Sequence, residues 1–334
     1  MAKIREVAER AGVSLTTVSN VINHRDRVSP ALRAKVEAAI AELDYQPNAT
    51  AQSLRTGRTR VVAIMIPDIC NPFFTELVRA LQNDLGNEDY DVTIFNTDVP
   101  GGHAADHGHD YLRQVRRKRI GGLIVADAAL HGIQDELIGI PIPTVFIGNL
   151  ANGAVDSVDV DNFDAAYRMG TYLTDKGHQR IAHITGPEFL NMSRIRRAGF
   201  EQALADAGRP MVDDLRFEGS FLGPSGHAAV DWLLSRHGGN LPSAIFFANS
   251  LMAIGGLAAL ADRGIRVPED IAVATFDLNM NMEDVRPRLT TIGLPAEAIA
   301  GHALKLLNSR MAKEYLGPPR KVVLKGRLEI HTTS

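Results

Sequence analysis

A single cysteine, Cys70, occurs in 334 residues, so no disulfide can form within the chain. That fits a reducing compartment and sets aside the small cross-linked secreted scaffolds. No apolar run approaches the roughly 20 residues needed to cross a bilayer. The first residues, Met1-Ala2-Lys3-Ile4-Arg5-Glu6, mix acids and bases and carry no apolar core of a signal peptide. The expected location is therefore the cytoplasm, with no membrane partner. Also missing are a G-x-G-x-x-G turn, a phosphate-binding P-loop and a G-x-S-x-G nucleophile elbow. An enzyme on a doubly wound fold would need one of these or an activated nucleophile. No catalytic residue, cofactor or metal is expected.

The apolar fraction of 45% and the charged fraction of 22% are those of a folded soluble protein, and the length allows two or three domains. Net charge is only −3, but its distribution is uneven. Residues 1–60 hold 10 Lys+Arg against 6 Asp+Glu, whereas the remainder holds 26 against 33. A basic head on an acidic body is expected when only the head meets a polyanion.

The head reads as three short helices. Ile4, Val7, Ala8 and Ala11 fall on one helical face, and Gly12 ends that helix as a residue free to take positive φ. Ser14 is a natural N-cap for a second helix whose Val18, Val21 and Ile22 face inward. Ser29-Pro30 starts a third, with Leu32, Val36, Ile40 and Leu43 as its apolar stripe. Two helices joined by the turn Ala11-Gly12-Val13-Ser14 form a helix-turn-helix, whose second helix enters a major groove. Its outward residues are Leu15, Thr16, Thr17 and Asn20. Asn can pair bidentately with adenine, Thr can touch a base edge or thymine methyl, and Leu offers apolar contact. Ser14, Thr17, Ser19 and Asn23 are short donors suited to phosphate oxygens, and Ser29 is grouped with them. A three-helix bundle whose polar face is merely wet would share this pattern.

Beyond Val61 short apolar runs alternate with helical stretches. The runs are Val61–Ile66, Val92–Phe95, Gly122–Ala126, Thr144–Ile147, Arg180–Ile184, Ala244–Ala248 and Ile271–Phe276. Continuous apolar strands alternating with helices mean parallel sheets covered on both faces. About 270 residues is long for one sheet, so two α/β lobes with a boundary near Val160–Asn162 are expected.

Specific stretches narrow the reading. Val7-Ala8-Glu9-Arg10-Ala11-Gly12-Val13-Ser14, Thr17-Val18-Ser19-Asn20-Val21-Ile22-Asn23, Val28-Ser29-Pro30, Tyr45-Gln46-Pro47-Asn48-Ala49 and Ser53-Leu54-Arg55-Thr56-Gly57-Arg58-Thr59 closely resemble the lactose/galactose repressor (LacI/GalR) family of transcription regulators. The resemblance runs through the rest of the chain. It implies an α plus α/β protein: a helix-turn-helix head, residues 1–46; a hinge helix and linker, 47–60; and a periplasmic-binding-protein-like core, 61–334. The core's N-lobe would span about 61–160 and 293–321, and its C-lobe about 161–292 and 322–334, with crossings near Val158–Asp161, Thr291–Leu294 and Lys321–Val323. In the family two hinge helices pair in the minor groove and a leucine wedges between base steps. Here Asn48 would cap the hinge, Ala51 would face the groove floor or the partner hinge, and Leu54 would be the wedge. Many members carry Arg where this chain has Asn20, so its operator preference should differ.

Ligands of open α/β sheets bind beyond the carboxyl ends of strands. That rule and the resemblance together nominate Asn71, Phe73, Phe74, Asp127, Asn149, Arg196, Phe221, Asn249 and Asp277. Arg196 matches the family's ligand arginine by its offset from Gly199-Phe200, and a guanidinium can fork onto hydroxyls or a carboxylate. Asp277 would accept two hydroxyls. Many sugar-responsive members carry Asp-Arg where this chain has Gly148-Asn149, and Asn-Asp where it has Asn249-Ser250. Modified sugars, sugar acids, polyols and nucleosides therefore join plain hexoses as candidate effectors. Leu190 and Met192, before Arg196, point to a more apolar pocket. His103 and His107, at helical i, i+4 spacing with His109 beyond, form a weak metal motif, and a solvated or dimer-facing helix start is the plainer reading.

The expected protein is a dimer on palindromic operator DNA, released by a carbohydrate-like effector. A C-terminal heptad tail that would favour tetramers is absent. Corepression by a nucleoside or sugar acid, a transport-type sugar-binding protein and an enzyme are the alternatives.

Overall fold

The computed structural model describes residues 2–23, 27–45, 59–97, 104–118, 120–126, 139–150, 153–277 and 285–334, with backbone only for Asn23 and 104–109. Two compact units divide the chain, Met1–Arg60 and Val61–Ser334.

In the first unit, helix α1 (Ile4–Ala11) stops at Gly12, whose φ of +65° is readily reached only without a Cβ. Helix α2 (Leu15–Asn23) starts at Ser14, whose Oγ accepts from the Thr17 amide at 3.1 Å. Helix α3 (Pro30–Glu42) carries its proline in the first turn, where no N–H is needed. The core is Val7, Ala8, Val18, Val21, Val36 and Ala39. Each fully buried valine contributes about 1.5–2 kcal/mol of transfer free energy. Arg10 pairs with Glu42 at 2.7 Å and ties α1 to α3. One expectation fails here: Leu32 is 38% exposed, and α3 buries Val36 and Ala39 with Ile40 and Leu43 packed behind them. The stripe begins one turn later because Leu32 lies in the first turn of α3, short of that core.

The second unit holds two six-stranded sheets. The first contains β1 (Val61–Ile66), β2 (Asp91–Asn96), β3 (Gly122–Val125), β4 (Thr144–Ile147), β5 (Asp156–Val160) and β11 (Lys321–Leu324), in the order β11-β5-β4-β3-β1-β2, all parallel. The second contains β6 (Ile181–Thr185), β7 (Arg216–Glu218), β8 (Ala244–Phe247), β9 (Ala272–Phe276), β10 (Thr290–Gly293) and β12 (Arg327–Glu329), in the order β12-β10-β9-β8-β6-β7. Only β12, against β10, is antiparallel among these pairs. Helices α4 (Pro72–Asn87), α5 (Ala104–Arg117) and α10 (Ala296–Met311) intervene around the first sheet; α6 (Asn162–Asp175), α7 (Asn191–Asp206), α8 (Gly223–His237) and α9 (Ser250–Asp262) around the second. Central strands such as Val61–Ile66 and Ala272–Phe276 are buried along nearly their whole length, as parallel strands covered on both faces must be.

The chain passes between lobes three times: at Asp161, at Leu294–Pro295 and at Lys325–Gly326. The third pass lies later than Lys321–Val323. Those residues form a sheet-one edge strand, with Val322 paired to Val158, and Val322 and Leu324 packed on that lobe's core. The passes touch one another. Asp161 N–H donates to Leu324 O at 2.8 Å, and a Cβ on Gly326 would meet the Ala165 methyl at 3.2 Å.

Candidate functional site: a reading helix and a cleft at the strand ends

On α2, Leu15 is 48% exposed, Thr16 is exposed, and Thr17, Ser19 and Asn20 are half-buried. The Ser14 and Thr17 hydroxyls bond each other at 2.9 Å while Ser14 Oγ also caps the helix. Two hydroxyl protons serve one such bond, so one remains for a phosphate oxygen. Ser29 is exposed and makes no side-chain cap bond. The Asn23 side chain lies outside the described residues, as do Asn48, Ala51 and Leu54 of the expected hinge.

In each sheet of the second unit the strand order reverses, between β1 and β3 in one lobe and between β6 and β8 in the other. At such a switch point neighbouring connections leave on opposite faces and open a crevice beyond the carboxyl ends. In the second lobe Arg196 follows β6, Phe221 follows β7, Asn249 follows β8 and Asp277 follows β9.

Arg196 is 5% exposed and lies at the centre. Its Nε donates to Asn162 Oδ1 at 2.8 Å and one terminal nitrogen to the Ala248 carbonyl at 2.7 Å. Its guanidinium carbon stands 3.5 Å above the centroid of the Phe276 ring. The Asp277 carboxylate is 3.9 Å away, too far for a hydrogen bond. The pair therefore keeps donors and an acceptor free for a third group. Burial pulls the Arg196 guanidinium down from its ordinary value, against the fields of Asp277 and Asp159. Burial pushes the Asp277 carboxyl up, opposed by Arg196 and by a bond from the Ser250 amide. Gly199 lets α7 come this close, because a Cβ there would lie 2.3 Å from the Phe163 carbonyl oxygen.

Asn249 plays a different part from the one its position suggested. Its Oδ1 accepts from the Met252 amide and caps α9, and its Nδ2 donates to the Phe221 carbonyl at 2.8 Å. It holds Phe221 at a φ of +65°, with the ring over Gly186. Asn71 is likewise spent on capping, its Oδ1 accepting from the Phe73 amide at 3.1 Å. Both are asparagines before a helix, and capping is the commoner use of that position. Phe73 and Phe74 meet edge to face at 5.2 Å and pack on the first lobe's core, still half-exposed. Asn149 is half-buried after Gly148, and Asp127 lies outside the described residues. Leu190 is buried beneath the loop, whereas its neighbour Phe189 is 65% exposed. Met192 is half-buried, and Phe189, which was not anticipated, adds the exposed apolar surface of that loop.

Asp159, Asn162 and Phe276 were not anticipated. Asp159 is the penultimate residue of β5, and its carboxylate accepts from the Val160 amide at 2.9 Å and from Asn162 Nδ2 at 3.2 Å. Burial raises it to about 6, with Asp161 adding to the rise, against the Val160 amide bond and the fields of Arg196 and Lys321. The available signal was weak, a second acid in the mixed strand Asp156-Ser157-Val158-Asp159-Val160 next to a crossing. Among the described residues no group of three or more His, Cys, Asp or Glu could hold a metal, and none of the helices is long and apolar enough to span a membrane. The side chains of His103, His107 and His109 lie outside that set.

Comparison with known proteins adds to this geometry. The model of the lacI family of bacterial regulatory proteins matches residues 3–48, and that of a periplasmic binding protein-like domain matches residues 171–334. The HTH-type transcriptional repressor PurR of Yersinia pestis (strain Pestoides F) is 32% identical over 322 residues, 95% of this chain and 93% of that protein. A lac repressor dimer solved bound to operator and the anti-inducer ONPF superposes with a TM-score of 0.87 at 25% identity, covering 99% of this chain and 98% of that one. A complex of the regulator CelR with cellobiose superposes with a TM-score of 0.72 at 29% identity over the whole of both chains.

Proposed function

Because the chain belongs to the LacI family of bacterial regulatory proteins, we propose that it represses transcription from a palindromic operator and is released when a small hydroxylated effector closes the cleft on Arg196 and Asp277. It is a ligand-responsive DNA-binding regulator of the helix-turn-helix class. We assign it no catalytic step. In its relatives the solved assembly on operator is a dimer, and two copies of α2 on the half-sites of a palindrome give this chain its specificity. Residues 1–46 form the reading head, 47–60 the hinge and 61–334 the effector core. Leu15, Thr16 and Asn20 read bases, and Ser14, Thr17, Ser19, Asn23 and Ser29 position the head on phosphates. Asn48, Ala51 and Leu54 carry the hinge contact.

The observation that carries the effector reading is the 3.9 Å gap between Arg196 and Asp277. A hydroxyl placed there accepts from the guanidinium and donates to the carboxylate, completing both groups at once. The half-exposed rings of Phe73, Phe74 and Phe221 and the outward Phe189 offer apolar surface for a sugar face or a planar base. Effector binding shifts operator affinity only by its preference for the closed core. A nucleoside corepressor fits the same rings and stays the second reading.

Anisotropy titration with duplexes from upstream of the chain's own coding region tests the first half. Nanomolar binding that weakens steeply with salt is expected, and it should vanish when residues 1–60 are deleted. A thermal-shift screen of hexoses, disaccharides, polyols, sugar acids and nucleosides tests the second half. Asp277→Ala should cost the resulting hit roughly ten- to hundredfold in affinity, the range for losing a charged hydrogen bond. Full affinity in that variant would remove Asp277 from the effector site. Tighter operator binding in the presence of the hit would reverse the sign to corepression.

A further inference from the structure

Just before the first crossing between lobes, a half-buried acid on β5 is wired to the effector arginine. Asp159, the penultimate residue of β5, accepts a hydrogen bond from Asn162 Nδ2 at 3.2 Å. The same nitrogen donates to the Val160 carbonyl at 2.9 Å, so both amide hydrogens point back at the crossing. That fixes the amide with its oxygen outward, where it accepts from Arg196 Nε at 2.8 Å. Nothing else in the cluster bonds that nitrogen. A carboxylate bonded to one end of an amide polarises it and strengthens the acceptor at the other end.

We propose that Asp159 is a positioning residue for Arg196, acting through the Asn162 amide, and that its protonation loosens the guanidinium and weakens effector binding in mild acid. The charged groups facing Asp159 come from three elements: Arg196 on α7, Lys321 on β11 and Asp161 on the crossing itself. Asp277 faces Arg196 from the far side at 3.9 Å. Burial outweighs the two cations and brings Asp159 to about 6. Once Asp159 is neutral, Arg196 keeps only Asp277 as a charged neighbour, and the amide oxygen becomes a poorer acceptor. The relay ties the state of β5 in one lobe to the group that grips the effector in the other. This inference rests on Arg196 as an effector contact, but the relay is measurable with no effector present.

The test is the side-chain Nε–H resonance of Arg196 in the full-length protein labelled with 15N-arginine, assigned by its loss in Arg196→Lys. Between pH 5 and 8 the resonance should move along one titration curve with a midpoint near 6. The movement should disappear in the nearly isosteric Asp159→Asn and persist in Asp277→Asn. In Asn162→Ala, which keeps the Asp159 charge and its direct field on Arg196 but cuts the relay, the movement should fall to less than half its wild-type amplitude. A wild-type resonance that stays put overturns the proposal, as does a curve that survives in Asp159→Asn or keeps its full amplitude in Asn162→Ala. Should Asp159→Asn not fold, the wild-type and Asn162→Ala curves decide alone. Failure of the effector reading would show separately, as an Arg196→Ala protein that binds the screened hit unchanged.

Discussion

Asp156 and Arg310 lock together inside the first lobe, with the two Asp156 oxygens receiving Arg310 Nε and Nη2 at 3.0 and 2.8 Å. Arg320 adds its backbone amide at 2.7 Å and its guanidinium at 2.6 Å. The Asp156 side chain is fully buried, and Tyr315 stacks on both guanidinium groups at 4.6 and 4.1 Å. One carboxylate thereby joins β5, the end of this lobe's first run, to α10 and the start of β11, which return to it after the second lobe.

Removing that carboxylate strands two cations against a core. Asp156→Ala is expected to destabilise the core by about 3–5 kcal/mol, the cost of breaking a buried charged cluster. Burial pushes the Asp156 carboxyl up, but the bonds from Arg310 and Arg320 outweigh it and hold it below its ordinary 3.8. Its stabilisation is therefore present above that value and lost as pH falls below it. Urea midpoints at pH 3 and pH 7 should differ less in Asp156→Asn than in the wild type.

His183 produces a second acid effect at higher pH. It lies on β6 between the Phe200 and Phe246 rings, centroids 4.7 and 5.2 Å away, and neither ring nitrogen has a hydrogen-bond partner. Burial, with Arg197 and Arg216 nearby, lowers it from 6.5 to about 3. The unfolded chain binds that proton first, so stability falls as pH drops from 6.5 toward 3, by up to about 1.4 kcal/mol per unit. His183→Phe should flatten the melting temperature between pH 6.5 and 4.5. An unchanged slope would mean other groups carry it.

Asn249 is expected to matter without touching the effector. Asn249→Ala loses the α9 cap, worth about 1 kcal/mol, and releases Phe221 from its positive φ. Asn249→Asp restores the cap oxygen but has no donor for the Phe221 carbonyl. Stability should recover in Asn249→Asp while affinity for the screened hit stays reduced several-fold, as calorimetry and thermal melting would report together.

On the head, Thr16→Ala and Asn20→Ala should change which operator bases are preferred, with mismatch penalties of about 1–3 kcal/mol relaxing at one position each. Val18→Asp, placing a charge in a six-residue core, should abolish operator binding and leave the core unit folded. Arg10→Ala should cost less than about 1 kcal/mol, since the Arg10–Glu42 pair is half-exposed. Competition with single-base-substituted duplexes and circular dichroism separate these outcomes.

Local pattern fixed much of this protein. Gly12, Ser14 and Pro30 each allow one backbone state at low cost, so helix ends in the head were legible residue by residue. Runs such as Val61–Ile66 announced central strands because only a doubly covered parallel strand is apolar on both sides. Strands β5, β7, β10, β11 and β12 were not legible. β7 and β12 are three residues long with a charge at each end, β5 and β10 mix acids or hydroxyls with apolar residues, and the short run Lys321-Val322-Val323-Leu324 became a strand only because β5 was there to pair with it.

The family and the list of strand-end residues followed from the sequence alone, because chain order dictates which residues follow each strand. Tertiary structure decided what those residues do. Asn71 and Asn249 turned inward to cap helices, Phe189 rather than Leu190 faced out, and Arg196 gathered Asn162, Ala248, Phe276 and Asp277 from four separate segments. Hydrogen-bond satisfaction and burial depend on which chains meet in space, and a linear pattern carries no record of that for residues 34 to 81 positions apart.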